Sequence, residues 1–193
     1  MPQEALERLL EGNRRYVTGK STLDESEQRR IEIANRQHPF ATILSCVDSR
    51  VPPELIFDQG LGDLFVIRTA GQVLDKAVLG SLEFGVAVLH IPVIVVLGHE
   101  RCGAIKAALS FLERHEIAEA EIEYLVEALT PAIKRSQQLG GDVWDQAVRC
   151  QISLLVDELC RSPILCTAVQ AGKLKIVGAY YDLETGLVEV TVA

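Results

Sequence analysis

The stretch "VIVVLGHERCGAIKAAL", residues 93–109, decides the fold. Its opening, Val93 to Leu97, is a β-branched apolar run without alternation, the pattern of a strand covered on both faces of a parallel sheet. The residues that follow Gly103 read as a helix. A strand, a short turn and a helix make a βα unit, and the turn lies at the carboxyl edge of the sheet, where open α/β sheets bind ligands. His99 and Cys102 stand on that turn.

The same alternation extends in both directions. Strands are predicted at Ala41 to Cys46, Leu64 to Thr69, Val93 to Gly98 and Leu174 to Tyr181, with helices over "PPELIFD", "AVLGSLEFGVAVLH" and "GAIKAALSFL". Such alternation implies right-handed βαβ units. The chain then turns at "DLETG" and returns as "LVEVTVA", a fifth strand antiparallel to the fourth. Residues 117–172 read as helical, with breaks at Pro131, at Gly140 and Gly141, and at Pro163. Two helices precede the sheet, "QEALERLLEGNRRYV" and "DESEQRRIEIANRQ", and Asp24 is placed to cap the second. The predicted fold is α/β: a mainly parallel central sheet of four strands plus a fifth antiparallel strand, helices on both faces and an N-terminal helical arm. Residues 1–193 read as one domain, with the arm over 1–37 and the α/β core over 38–193.

A chain of 193 residues, 48% hydrophobic and 24% charged, can bury a core of that size. Its formal net charge of −8 argues against nucleic acid and against an acidic membrane surface, since both need a basic face. The N-terminal stretch carries Glu4, Glu7 and Glu11 and has no apolar run long enough for a signal peptide or a span, so an unexported, cytoplasmic protein is expected. Five cysteines, an odd number without a secretory signal, favour reduced thiols and metal ligation over disulfides. Cys150, Cys160 and Cys166 lie in helical surroundings and read as packing residues.

A second segment, "TILSCVDSRVPPELIF", residues 42–57, is also a buried strand that ends in a thiol. Taken alone, a cysteine in a core strand is a small hydrophobe, and a single H-x-x-C is equally weak. Together they say more, because adjacent parallel strands bring their carboxyl ends side by side and Cys46 can then meet His99 and Cys102. Two thiolates and an imidazole form the three-donor set of a catalytic zinc with an open fourth position, and sulfur favours zinc over magnesium or calcium. The glycines at 98 and 103 do not open a phosphate loop, since Ala104, Ile105 and Lys106 follow. Asp48 and Arg50 stand just beyond Cys46. The arginine can hold the carboxylate ionised and aimed, or the two can form a loop-stabilising ion pair, or the aspartate can itself ligate the metal.

"CVDSR" followed by "GHERCG" resembles the β-carbonic anhydrases, which pair Cys-x-Asp-x-Arg with a downstream His-x-x-Cys. The resemblance extends through "HPFATILSCVDSRVPPELIFDQGLGDLFVIRTAG", "GSLEFGV" and "GAYYDLETGLVEV", nearly the whole chain. It implies one Zn2+ per chain on Cys46, His99 and Cys102, an Asp48–Arg50 catalytic dyad, and Gln37, Phe65, Phe84 and Gly103 on the substrate side. It also implies a homodimer or larger homo-oligomer whose cleft is shared between subunits, with the N-terminal helices as arms across a partner. Departures are Val47, where a small polar residue is common, Gln72 in place of Asn, and Phe84, where Tyr is frequent.

The activity so implied is reversible hydration of carbon dioxide to bicarbonate and a proton. Zinc lowers the pKa of bound water from ~15.7 toward ~7, and two thiolates leave that water less acidic than three imidazoles would, so activity is expected to rise toward alkaline pH. Asp48 would accept a hydrogen bond from the zinc-bound hydroxide, and His38, His90 and His115 are candidate proton carriers. Alternatives are hydrolysis of carbon disulfide or carbonyl sulfide on the same ligands, and a non-catalytic zinc protein closed by Asp48. One subclass of the family closes its zinc with the aspartate and has a regulatory pocket built partly on a Trp three residues before the first Cys. Ile43 stands at that position and the sole tryptophan, Trp144, lies far along the helical region, so the resemblance implies the open subclass.

Overall fold

The computed structural model describes residues 1–193. The chain runs α1 (Pro2–Val17), α2 (Glu27–Ile33), β1 (Ala41–Cys46), α3 (Pro53–Ile56), β2 (Leu64–Thr69), α4 (Lys76–Ala87), β3 (Val93–His99), α5 (Gly103–Arg114), α6 (Ile122–Ser136), α7 (Val143–Leu159), α8 (Pro163–Gln170), β4 (Lys175–Tyr181) and β5 (Val188–Val192), with a 3-10 turn at Ala70–Gln72. The strands form one sheet in the order β2-β1-β3-β4-β5. The first four are parallel and β5 is antiparallel to β4. Every residue of β1 and β3 is buried, including Thr42 and Ser45 of β1, and this is the physical content of the unbroken apolar run in β3.

The topology creates the site. From β1 the chain steps to β2 on one side and then crosses back to β3 on the other, so the carboxyl ends of β1 and β3 flank the point where the winding direction reverses. Successive right-handed crossovers in opposite directions place their helices on opposite faces. Ile56 of α3 accordingly packs with Ile43, Val95 and Leu97, whereas Val78 and Leu82 of α4 pack with Leu44, Ile94 and Val96 on the other face. Each of these fully buried aliphatic side chains contributes on the order of 1.5–3 kcal/mol.

Helix α7 lies close against the sheet. A Cβ at Gly98 of β3 or at Gly178 of β4 would overlap Ile152 of α7, so the two glycines let the helix approach. Helix α1 covers the other face of its own sheet through Ala5, Leu6 and Leu9. Buried Asn13 fixes it there: its amide donates to the carbonyls of Ile56 (3.1 Å) and Gly186 (2.8 Å), and its oxygen accepts from the Val188 N–H (2.9 Å). Residues 1–37 therefore divide, since α1 completes the core while α2 buries none of its residues.

Several local expectations are corrected. Ser26, not Asp24, caps α2, accepting from the Arg29 N–H at 3.1 Å, and Asp24 instead accepts from the Ser26 N–H. The helix ends at Ile33, short of the predicted Gln37. Pro131 does not break the helical region but sits inside α6. An interior proline costs roughly 3 kcal/mol; here Leu129, Ala132 and Ile133 are all buried around it, and the Thr130 hydroxyl donates to the Val126 carbonyl at 2.7 Å. Packing of the apolar face outweighs the lost backbone bond.

Candidate metal centre

Cys46 is the last residue of β1, His99 the last of β3, and Cys102 the residue that caps α5. β1 and β3 are in parallel register from Thr42 opposite Ile94 to Ser45 opposite Leu97, so Cys46 and His99 emerge side by side. Between His99 and Cys102 the chain doubles back through Arg101, whose φ of +51° lies in the left-handed region. One donor atom from each of Cys46, His99 and Cys102 lies within 4.8 Å of the others, and all three residues are buried.

The donors fit a zinc ion. The two sulfurs are 4.0 Å apart, against about 3.8 Å expected for two thiolates sharing a tetrahedral Zn2+. His99 Nδ1 lies 2.8 Å from the Glu100 carbonyl, which places the ring proton on Nδ1 and leaves the Nε2 lone pair free. That Nε2 is buried without any hydrogen-bond partner. A buried polar atom of this kind carries a desolvation penalty unless something meets it, and a cation between the sulfurs would. The two sulfurs share a hydrogen bond in which either can donate. That contact and the Gly71 N–H at 3.4 Å lower the Cys46 thiol despite burial, while the same contact and desolvation push Cys102 upward. Gly71 can offer that N–H because its φ is +64°.

Asp48 stands beside the donors, its Oδ2 3.9 Å from His99 Nε2. Arg50 grips it with both ends of the fork, Nε to Oδ1 at 3.0 Å and Nη2 to Oδ2 at 2.7 Å, and adds its own backbone N–H to Oδ1 at 2.9 Å. The Arg50 hydrogen bonds, outweighing burial, hold the carboxyl down at about 2. Arg68 of β2 donates to the carbonyl of Cys46 (2.8 Å) and to that of Asp48 (2.6 Å), fixing the loop that carries ligand and carboxylate. A pocket of about 330 Å³ opens here, bounded by Cys46, Asp48 and Gly103 and otherwise mostly apolar, with Ala104, Leu125 and Val126 among its walls.

Not every predicted residue is part of this constellation. Gln37 is exposed ahead of β1, and Phe65 is level with Thr42, four residues back along the strand direction from Cys46, roughly 13 Å at 3.3 Å per residue. Phe84 packs beside Phe65, their ring centroids 6.5 Å apart. Within one chain these three do not line the pocket, whereas Gly103 does. His38 and His90 are exposed just before β1 and β3, at the opposite edge of the sheet, and His115 ends α5, roughly 18 Å from its start. Trp144, remote in sequence, comes to the site: its Nε1 donates to the Cys102 carbonyl at 2.9 Å. The only sequence signal that marked it was its being the one tryptophan in the chain.

The family profile described as carbonic anhydrase matches residues 41–188. A carbonic anhydrase of Mycolicibacterium smegmatis is 43% identical over 192 residues, covering 98% of this chain and 93% of the relative. Carbonic anhydrase 2 of Mycobacterium tuberculosis is 41% identical over 187 residues, covering 96% and 90%. Among solved structures, the Coccomyxa β-carbonic anhydrase in complex with acetazolamide superposes with a TM-score of 0.76 at 30% identity, over 84% of this chain and 76% of that one. The β-carbonic anhydrase CcaA gives 0.75 at 30% identity over 96% and 94%. Profile, full-length relatives and fold agree with the Cys-His-Cys cluster at the switch point of the sheet, and the chain belongs to the β-class carbonic anhydrase family.

Proposed function

We propose that the protein is a zinc enzyme that interconverts carbon dioxide and bicarbonate, with one Zn2+ per chain held by Cys46, His99 and Cys102. The observation that carries this is the convergence of two thiols and an unpartnered, buried imidazole nitrogen beside a carboxylate that is already held by an arginine. When bound, zinc supplies a Lewis acid that brings a water molecule's pKa toward neutrality, less far than an all-imidazole site does because two thiolates offset its charge. Arg50 keeps Asp48 ionised and directed, so Asp48 would accept a hydrogen bond from the attacking oxygen and turn that oxygen's lone pair toward carbon, without taking the proton itself. The apolar wall of Ala104, Leu125 and Val126 receives a neutral, apolar substrate without competing for it by hydrogen bonding. Bicarbonate and a proton leave together, and His38, His90 and His115 are too far off within one chain to take that proton directly.

The test is oxygen-isotope exchange between carbon dioxide and water, measured on protein of known zinc content from pH 6 to 9. Expected are one zinc per chain and exchange that rises toward alkaline pH. Zinc-loaded protein that shows no exchange at any pH, but releases sulfide from carbon disulfide or carbonyl sulfide, would move the assignment to those substrates.

We also propose at least a homodimer. Strand β2 is a sheet edge whose six residues are all half-buried, and Gln37, Phe65 and Phe84 lie away from the pocket of their own chain, where a second copy could use them. Sedimentation equilibrium at working concentration should show no monomer; a monomer with full activity would remove both the dimer and the shared cleft. No helix is long and apolar enough to cross a membrane.

A further inference from the structure

We infer that Trp144 is a positioning residue for the metal ligand Cys102, carried to the site by helix α7, which begins at Val143. The inference rests on the zinc site proposed above. The Cys102 carbonyl already accepts the Lys106 N–H at 3.1 Å as the first bond of α5, so it has no need of a second donor. The indole N–H nevertheless meets it at 2.9 Å. What the second bond adds is direction: it ties the residue that carries the sulfur to a different element. Cys102 needs such a tie, because it follows Arg101 in the left-handed region, a conformation that persists only where neighbours over-determine it.

Trp144 is itself well anchored. Asp142 caps α7 by accepting the Trp144 N–H at 2.9 Å, and Ala147, Val148 and Ile152 bury the same helix in the core. The Lys106 ammonium lies 4.9 Å from the centre of the indole ring, a contact separate from the N–H bond to Cys102. The other ligands are steadied by their own surroundings: His99 by the adjoining Glu100 carbonyl, and Cys46 by the Gly71 N–H and by Arg68. Only Cys102 depends on the distant helix α7. Groups that orient metal ligands from outside the coordination sphere typically account for 10–100-fold in metal affinity, and a bond to the ligand's backbone belongs at the lower end.

The experiment compares wild-type holoprotein with Trp144→Phe, which keeps an aromatic ring and loses the N–H, and with Lys106→Met, which keeps the indole bond. Zinc transfer to a chromophoric chelator should show about tenfold weaker retention in Trp144→Phe and wild-type retention in Lys106→Met. The cobalt-substituted Trp144→Phe protein should show shifted visible bands at an unchanged melting temperature. Wild-type retention and cobalt spectrum in Trp144→Phe would overturn the inference, as would an equal loss in Lys106→Met, which would assign the effect to ring packing. Should Trp144→Phe fail to fold, the sole tryptophan of the wild-type protein decides: its emission must change when a chelator strips zinc from the folded chain, and constant emission would overturn the inference. Wild-type protein that holds no stoichiometric zinc would instead remove the metal reading, and this inference with it.

Discussion

Alanine at Cys46, at His99 or at Cys102 is expected to strip zinc from the protein and to lower carbon dioxide hydration by at least about a thousandfold, since the acidification of water supplied by the metal disappears with it. Each substitution removes one of three protein donors, and the remaining two cannot hold a tetrahedral ion against a chelator or the buffer. Cys102→Ala is the cleanest of the three. The Cys102 side chain makes no capping bond to α5, so the helix start survives and the loss is a loss of ligation. His99→Ala also opens a void at a completely buried position, and Cys46→Ala leaves the Gly71 N–H without its sulfur, so both need a melting curve beside the metal analysis. Metal content by emission spectrometry and hydration by stopped flow are the measurements. Full zinc together with wild-type rate in any one variant would take that residue out of the site.

Asp48→Asn is expected to separate the metal from the chemistry. Zinc should remain near one per chain, because Asp48 is held by Arg50 and is not among the three converging donors. Activity should fall about a hundredfold, the low end of what a positioned acid–base group contributes. The reason lies in the arginine fork. Both Asp48 oxygens accept N–H groups from Arg50, at 3.0 and 2.7 Å, and an amide offers only one acceptor, so its NH2 must either face the guanidinium or turn toward the attacking oxygen. Either orientation spoils the acceptor that aims the nucleophile. Unaltered rates in a zinc-replete Asp48→Asn protein would show that the carboxylate only stabilises its loop.

The parts of the molecule that could be read from the sequence are those with a local cause. β3 is legible because a strand buried on both faces has no polar position to interrupt it until His99; β1 is legible from its β-branched and apolar residues although it buries Thr42 and Ser45, and it ends in the thiol of Cys46. Pro131 does not end its helix because backbone preference is a local cost and burial of Leu129, Ala132 and Ile133 is a larger, non-local gain. Ser26 and not Asp24 caps α2 because both residue types can accept the same N–H bond and only the path of the chain decides between them.

By itself the sequence determined the α/β class, the strand ends that carry donors and the family, since period, residue type and motif spacing are properties of consecutive residues. Tertiary structure alone decided that the indole of Trp144 reaches Cys102, that Arg68 ties the Cys46 and Asp48 carbonyls together, and that Gln37, Phe65 and Phe84 stand away from the pocket within one chain. Each of these depends on strand register or on the approach of α7 to the sheet. That approach is set by side chains from separate segments packing at once, with Ile152 seated over Gly98 and Gly178, and no spacing along a single stretch of chain encodes it.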